Sequence, residues 1–186
     1  MARPWTFEYW LGKLAPHEYY GSTLDIDPAE LAARGVRGLI LDLDNTLAPW
    51  KHGLPTPELA GWIEAAQRSG MRCHIVSNHT GRRVRLFSRF LGIHGTASAA
   101  KPAGRAFRAA MRLMSTAPGQ TAVVGDQIFT DILGGRRQGC HTILVVPACS
   151  RDLGWTRLVR LAERALLRKL QARGLVPAEP RRRDRR

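Results

Sequence analysis

Short apolar runs alternate with amphipathic stretches along most of this chain. Runs typical of β-strands occupy about 38–43, 72–77, 121–125 and 141–146, with a shorter one near 95–98. Between them, Gly or Pro residues bound segments with helical spacing, at about 56–69, 81–91, 102–115 and 129–138. Strands of a parallel sheet are buried on both faces and therefore read as continuous apolar runs. The alternation predicts an α/β fold with a doubly wound, Rossmann-like parallel sheet sandwiched by helices.

The two ends of the chain differ from this central pattern, which we assign to a core over residues 36–150. Residues 1–35 are rich in aromatic residues and interrupted by proline, which predicts an irregular N-terminal extension packing on the core. A short helix is expected from Asp27-Pro28, because proline suits the first helical position. Residues 151–173 predict an amphipathic helix, and 174–186 predict a disordered basic tail.

The amphipathic pattern of that C-terminal helix has two interpretations. Its apolar face comprises Trp155, Leu158, Val159, Ala162, Leu166 and Leu170, and the opposite face carries Arg157, Arg160, Arg164 and Arg168. A basic amphipathic helix can lie on an anionic membrane. Alternatively, the apolar face packs on the sheet and the arginines face water.

The formal net charge of the chain is +14. Such a balance attracts anions, namely nucleic acid, acidic lipid surfaces or phosphorylated substrates. No specific nucleic-acid-binding motif is present, and an arginine-rich composition without a partner is the alternative. The three cysteines have no metal-ligand spacing. No apolar run reaches the roughly 18 residues that a membrane span needs, so we expect a cytoplasmic protein, with peripheral contact at the inner face of the membrane as a second possibility.

Polar side chains follow the predicted strands at the points where the strands end. Asp42 and Asp44 follow the first strand of the core, Ser77 and Asn78 end the second, and Asp126 follows the run at 121–125. Two further residues, Lys101 and Asp131, lie at or near predicted helix starts. Open α/β sheets bind ligands outside the carboxyl ends of their strands, so we expect these side chains to share one cleft.

The composition of that cleft predicts its chemistry. Four carboxylates close together repel one another unless a proton or a cation lies between them. Oxygen ligands favour Mg²⁺. The hydroxyl of Ser77, the amide of Asn78 and the ammonium of Lys101 are donors suited to phosphate oxygens. The set predicts metal-assisted phosphoryl transfer. Taken singly, Asp44 could instead belong to a turn and Asp131 to a helix surface.

The order and spacing of these residues carry a family resemblance. Asp42-Leu-Asp44-Asn45-Thr46, Ser77-Asn78, Lys101 and Gly125-Asp126-Gln127-Ile-Phe-Thr130-Asp131 are similar to the four motifs of the haloacid dehalogenase (HAD) superfamily, over about residues 36–147. The longer segment 42–50 resembles the YqeG-type phosphatases of HAD subfamily IIIA. That group in turn resembles the mitochondrial phosphatidylglycerophosphate phosphatases.

The resemblance implies a role for each motif residue. Asp42 would be the nucleophile that forms an aspartyl phosphate, and Asp44 the acid and base. Ser77 and Asn78 would bind the phosphoryl group, and Lys101 would offset its negative charge. The Mg²⁺ ligands would be Asp42, Asp44 through its backbone carbonyl, Asp126 and Asp131.

The substrate is less well indicated. Only about 32 residues separate Asp44 from Ser77, and the gap from Ser77 to Lys101 is also short, so neither holds a sizeable cap domain. An uncapped cleft suits a bulky substrate such as a lipid head group, a nucleic-acid end or a phosphoprotein; otherwise oligomerisation would cover the site. The leading hypothesis is an Mg²⁺-dependent phosphatidylglycerophosphate phosphatase. The alternatives are a phosphatase of a soluble sugar phosphate or nucleotide, and a basic RNA- or ribosome-associated protein with a vestigial site. The sequence does not indicate an oligomeric state.

Overall fold

Six parallel strands form one sheet at the centre of the protein. The computed structural model describes residues 7–50, 53–149 and 154–183. The strands are β1 (Glu18–Tyr20), β2 (Gly38–Leu41), β3 (Arg72–Val76), β4 (His94–Thr96), β5 (Thr121–Gly125) and β6 (His141–Val145). Their order across the sheet is β1-β6-β5-β2-β3-β4, and every neighbouring pair is parallel. The predicted doubly wound α/β architecture is confirmed.

Helices connect the strands and cover the sheet. They are α1 (Phe7–Leu14), α2 (Pro28–Ala33), α3 (Pro57–Arg68), α4 (Gly81–Leu91), α5 (Gly104–Met114), α6 (Leu133–Arg137) and α7 (Gly154–Ala172). The Asp27 side chain caps α2 by accepting from the Ala29 N–H at 2.8 Å. One difference from prediction lies at 129–138, where a π-helical turn, Ile128–Ile132, precedes the short α6.

Alternate side chains of each strand point to opposite faces of the sheet. Both faces are buried, because helices cover each of them. In β2, Leu39 and Leu41 pack with Phe87 of α4 on one face. Ile40 packs on the other face against Phe107 of α5. Helices α4 and α5 therefore lie on opposite sides of the sheet.

The N-terminal segment contributes a strand that the sequence pattern did not predict. β1 extends the sheet beside β6, with Glu18 opposite Ile143 and Tyr20 opposite Val145. The core therefore begins before the expected boundary at residue 36, and residues 1–35 are not an irregular extension throughout. A three-residue strand gives little periodicity, and its glutamate reads as a surface residue. Glu18 is nevertheless buried, and ion pairs with Arg34 and Arg181, together with a contact to His141 Nε2, stabilise its charge there.

Residues 174–183 return to the same edge of the sheet. The Arg181 N–H donates to the Tyr19 carbonyl at 2.9 Å, and the Gly21 N–H donates to the Arg181 carbonyl at 2.8 Å. This pairing corrects the prediction of a disordered tail as far as residue 183. The remaining residues, 184–186, lie outside the described part of the chain.

Helix α7 packs on the protein through part of its apolar face. Leu170 is fully buried in a cluster with Leu11, Ile132 and Leu144, and Leu166 packs against it. Among the described side chains of the polar face, Arg160 is buried rather than exposed, which corrects the prediction there, whereas Arg164 and Arg168 are exposed. The side chains of Trp155, Arg157 and Leu158 lie outside the described part of the structure. Across the residues that the structure describes, no helix is both long and apolar enough to cross a bilayer.

Candidate active site

Asp42 occupies the carboxyl end of β2, in the middle of the sheet. Its backbone N–H donates to the Val124 carbonyl of β5 at 2.9 Å, which continues the strand pairing and fixes its position. Its side chain is buried beside Lys101, whose Nζ lies 2.5 Å from Asp42 Oδ1 and 2.6 Å from Asp131 Oδ1. The structure thus brings together three of the residues predicted for the cleft.

Asp42, Asp126 and Asp131 form a buried carboxylate cluster. One oxygen from each lies within 4.8 Å of the others, and the Thr46 hydroxyl lies 3.3 Å from both Asp42 and Asp126. Burial and the charge of Asp42 raise the pKa of Asp126, against the opposing effect of Arg160. Burial also raises the pKa of Asp131, against the opposing charge of Lys101. An all-oxygen set that is costly to ionise fits a divalent cation such as Mg²⁺.

The π-helical turn and a glycine place Asp131 in this cluster. The turn directs the Asp131 carboxylate back over the end of β5, where it accepts from the Gln127 N–H at 3.2 Å. A Cβ atom on Gly125 would lie 2.3 Å from the Asp131 Cγ. Glycine is therefore required at this position by the close approach of the carboxylate. π-Helical turns often occur at functional sites for this kind of local repositioning.

The Asp44 side chain lies outside the carboxylate cluster of Asp42, Asp126 and Asp131. Asn45 takes a left-handed conformation, with φ of 64°, and so turns the chain immediately after Asp44. Asp44 Oδ1 forms an ion pair with Arg83 Nε of α4 at 2.8 Å. Burial raises the pKa of Asp44, although the Arg83 charge opposes that effect. A carboxyl group with a raised pKa beside the cluster can carry a proton to a reacting group.

Ser77 and Asn78, at the end of β3, have different surroundings. Ser77 is buried, and its Oγ accepts from the His79 N–H at 3.1 Å. The Asn78 amide bonds to the Lys101 backbone in both directions, accepting from the N–H at 2.7 Å and donating to the carbonyl at 3.2 Å. Asn78 therefore holds the segment that delivers the lysine, a role that the sequence did not suggest.

Arg160 of α7 belongs to the site although the sequence pattern placed it in solvent. Its guanidinium forms an ion pair with the Asp126 carboxylate and donates to the Asp126 carbonyl at 3.2 Å. Glu163 lies 3.7 Å from Arg160 and accepts from the Phe129 N–H at 3.0 Å, so it links α7 to the π-helical turn. The only signal available in the sequence was an Arg and a Glu three residues apart on a helix, which is common on exposed surfaces.

An open cleft of about 250 Å³ is lined by Asp42, Asp44, Asn45, Ser77, Asn78, Lys101 and Arg160. Asp126 and Asp131 do not line it, but they contact Arg160 and Lys101, which do. Trp50, His79, Gln127 and Thr130 complete its walls. Within the described residues, only α3 and β3 lie between Asp44 and Ser77, and only α4 and β4 lie between Ser77 and Lys101. The expectation of no sizeable cap domain is therefore confirmed.

A parallel sheet with a carboxylate cluster and a lysine at its carboxyl edge is the arrangement of the HAD-like hydrolases. A family model described as HAD-hydrolase-like matches residues 98–147. The chain is also 44% identical, over 88% of its length, to the probable phosphatase YqeG of Bacillus subtilis, and the match covers 95% of that protein. The chain therefore belongs to the HAD-like phosphatases of the YqeG type.

Two further comparisons extend the picture. Phosphatidylglycerophosphate phosphatase 1 of Arabidopsis thaliana is 30% identical over 88% of this chain, which spans about 50% of that relative. The cobalt-bound deoxy-D-mannose-octulosonate 8-phosphate phosphatase of Haemophilus influenzae has a TM-score of 0.50 at 15% identity, covering 77% of this chain and 92% of its own. The structural likeness shows a shared fold.

Proposed function

We propose that this phosphatase is an Mg²⁺-dependent phosphomonoester hydrolase that acts through an aspartyl phosphate on Asp42, with phosphatidylglycerophosphate as its substrate. One observation carries the proposal. The structure separates two neighbouring carboxyl groups: Asp42 lies against Lys101 within the carboxylate cluster, and Asp44 is held outside it by Arg83. Two acids in different environments can serve as nucleophile and as proton carrier.

In the first step, a carboxylate oxygen of Asp42 attacks phosphorus, and the bond from phosphorus to the leaving oxygen breaks. Asp44 gives its proton to that oxygen, which leaves as an alcohol. The raised pKa of Asp44 favours the protonated form that this step needs. The Lys101 ammonium, which already contacts Asp42, stabilises the negative charge of the transferring group.

In the second step, water attacks the aspartyl phosphate. Asp44, now ionised, takes the proton from that water, the bond from phosphorus to Asp42 breaks, and inorganic phosphate is released. Ser77 lies beside the nucleophile at the end of the adjacent strand, and its hydroxyl can donate to a phosphoryl oxygen in both steps.

The carboxylates of Asp42, Asp126 and Asp131 and the backbone carbonyl of Asp44 would hold Mg²⁺. When bound, the ion neutralises charge on the phosphoryl oxygens. Lys101 and Arg160 already balance two of the three clustered carboxylates. This leaves a cluster that still favours a cation, because its remaining charge is buried.

Two observations support a lipid phosphomonoester as the substrate. The cleft is open, so a head group can enter while the lipid chains remain outside. The relatives in Arabidopsis thaliana and Chlamydomonas reinhardtii are named phosphatidylglycerophosphate phosphatases, and they match 88% and 71% of this chain. A cytoplasmic location, with contact at the inner face of the membrane, would give access to such a substrate.

The first experiment offers phosphatidylglycerophosphate in mixed micelles with Mg²⁺ and measures phosphate release. We expect release by the wild-type protein and by Glu64→Gln, an exposed substitution on α3. Asp42→Asn should abolish it. No release by the wild type, or unchanged release by Asp42→Asn, would contradict the proposal. A panel of sugar phosphates and nucleotides in the same assay tests for a soluble substrate.

A second experiment tests the intermediate. With an aryl phosphate, whose leaving group needs little protonation, Asp44→Asn should complete the first step but lack the base for the second. The phosphorylated enzyme should then accumulate, and mass spectrometry should locate one phosphoryl group on residue 42. Failure to detect it in rapidly quenched samples of this variant would argue against an aspartyl phosphate.

A further inference from the structure

Helix α4 presents an unusual outward face close to the active site. Its inward residues, Val84, Phe87 and Leu91, are buried in the core. Its outward face is half basic and half apolar. We call this face, together with the nearby Leu54, the α4 patch; it consists of Leu54, Arg82, Arg85, Leu86, Arg89 and Phe90.

The apolar part of the α4 patch is exposed to a degree that needs an explanation. Leu54 is 68% exposed, Leu86 46% and Phe90 51%. Leu86 and Phe90 are one helical turn apart and so form a continuous stripe. Single exposed apolar residues are normal on a protein surface, but a cluster bordered by charge marks an interaction site.

The basic part has a uniform sign. Arg82, Arg85 and Arg89 lie along the same face of α4, beside the apolar stripe. A groove of about 670 Å³ runs between the helix and the segment that carries Leu54. Among the residues that the structure describes, those lining this groove include no acidic side chain. The patch therefore fits a partner that has both negative charges and apolar groups.

The α4 patch is continuous with the active site. His79 lines both the groove and the catalytic cleft. Arg83 joins them from inside: it pairs with Asp44 and donates to the carbonyls of Pro49 and Gly53, each at 2.8 Å. A partner seated on the patch would thus lie at the entrance to the cleft.

We propose that the α4 patch docks the protein on an anionic phospholipid bilayer. Leu54, Leu86 and Phe90 would enter the boundary between head groups and acyl chains, and the three arginines would bind lipid phosphates. A nucleic acid would pair with the arginines but leave the apolar stripe in water, so the patch favours a bilayer. The proposal builds on the lipid substrate proposed above, because it places the cleft beside the surface that contains that substrate.

The test compares two matched arginine triplets. Arg82, Arg85 and Arg89 on α4 have the same spacing as the exposed Arg105, Arg108 and Arg112 on α5, which covers the opposite face of the sheet. Each triplet is changed to glutamine. Sedimentation with phosphatidylglycerol-rich vesicles, without Mg²⁺ or turnover, then measures binding. We expect on the order of 100-fold weaker binding for the α4 triplet and much less change for the α5 triplet.

A second variant, Leu86→Ser with Phe90→Ser, separates the bilayer from a nucleic acid. It should weaken vesicle binding by at least about tenfold, because two large apolar side chains are lost, while any binding to a single-stranded RNA oligonucleotide persists. Equal losses of vesicle binding in the two triplet variants would mean that only the net charge of the protein matters, and would overturn the proposal. So would vesicle binding that survives the α4 changes, or RNA binding through the patch with no vesicle binding.

Activity assays distinguish this proposal from the proposed function. The α4 triplet should lose turnover of phosphatidylglycerophosphate in vesicles yet keep wild-type turnover of a water-soluble aryl phosphate. If the protein binds vesicles through the patch but does not hydrolyse this lipid, the docking surface stands and the proposed substrate fails. If it hydrolyses the lipid equally well with and without the patch arginines, the docking surface fails and the substrate stands.

Discussion

Arg160 of α7 forms an ion pair with Asp126 at the end of β5, across 34 residues of sequence. The guanidinium also donates to the Asp126 carbonyl, so it fixes both the side chain and the backbone of a proposed metal ligand. A planar guanidinium can make both contacts at once, which a lysine ammonium cannot do in the same geometry.

The first prediction concerns this contact. Loss of a partner that orients a metal ligand costs about 10- to 100-fold in metal affinity or activity. We therefore expect Arg160→Ala to raise the Mg²⁺ concentration needed for half-maximal activity by that order. Arg160→Lys should recover part of the loss, and Arg164→Ala, one turn away and exposed, should behave as wild type. A lower Mg²⁺ requirement in Arg160→Ala would mean that the arginine competes with the cation.

The carboxylate cluster predicts that Mg²⁺ stabilises the fold. A ligand that binds only the native state at 100 times its dissociation constant adds about 2.7 kcal/mol to the free energy of unfolding. Thermal unfolding should therefore shift upward with Mg²⁺ in the wild type and in the exposed control Glu64→Gln. Asp131→Asn should remove most of the shift, since it removes one of three clustered ligands. An unchanged shift in that variant would place the cation elsewhere.

Gly125 predicts an unusually local effect on activity. In Gly125→Ala the new methyl group would overlap the Asp131 carboxylate and displace it from Lys101. Overpacking of this kind costs about 1–3 kcal/mol in stability. We expect phosphatase activity to fall by more than the loss of folded protein accounts for. Gly61→Ala is the matched control, because nothing lies within 4 Å of its added methyl group and alanine favours the middle of α3. Equal activity in the two variants would contradict this account.

His74 predicts an acid-dependent loss of stability. Burial, with a smaller effect from His94, lowers its pKa from the usual 6.5 to about 4. The unfolded chain then binds the proton more readily than the folded one. The contribution of neutral His74 to the free energy of unfolding is therefore complete above pH 6.5 and is lost as the pH falls toward 4. The full effect is on the order of 3 kcal/mol. Urea unfolding across this range should show a shallower pH dependence in His74→Gln than in wild type or in the control Gly61→Ala, which changes no titratable group. Parallel curves would contradict the prediction.

The sequence was most informative where a residue's position along a strand determines its neighbours. Asp42, Ser77 and Asp126 each follow an apolar run, and parallel strands bring such residues to one edge. The structure places Asp42 and Ser77 in the wall of the cleft, and Asp126 in the carboxylate cluster with Asp42. The roles proposed for them are predictions that the variants described above test.

The sequence was least informative where a contact joins distant segments. β1 is too short for its pattern to stand out, and it is recognisable only beside β6. Arg160 has the spacing of a solvent-facing residue, and only the packing of α7 turns it toward Asp126. For Asn78, the residue type indicated a donor, but it could not show that the donor is used on the Lys101 backbone.

The distance in sequence between Arg160 and Asp126 also bears on when the enzyme becomes competent during its synthesis. Domains fold as the chain emerges from the ribosome, beginning with the N-terminal part. β1 has no strand to pair with until β6 has been made, and His17 is made 125 residues before its partner Thr142. Asp126 gains its partner Arg160 later still in synthesis, because α7 follows β6 in the chain. The nascent chain should therefore contain Asp42, the proposed nucleophile, early, yet gain full activity only after α7 has emerged and docked.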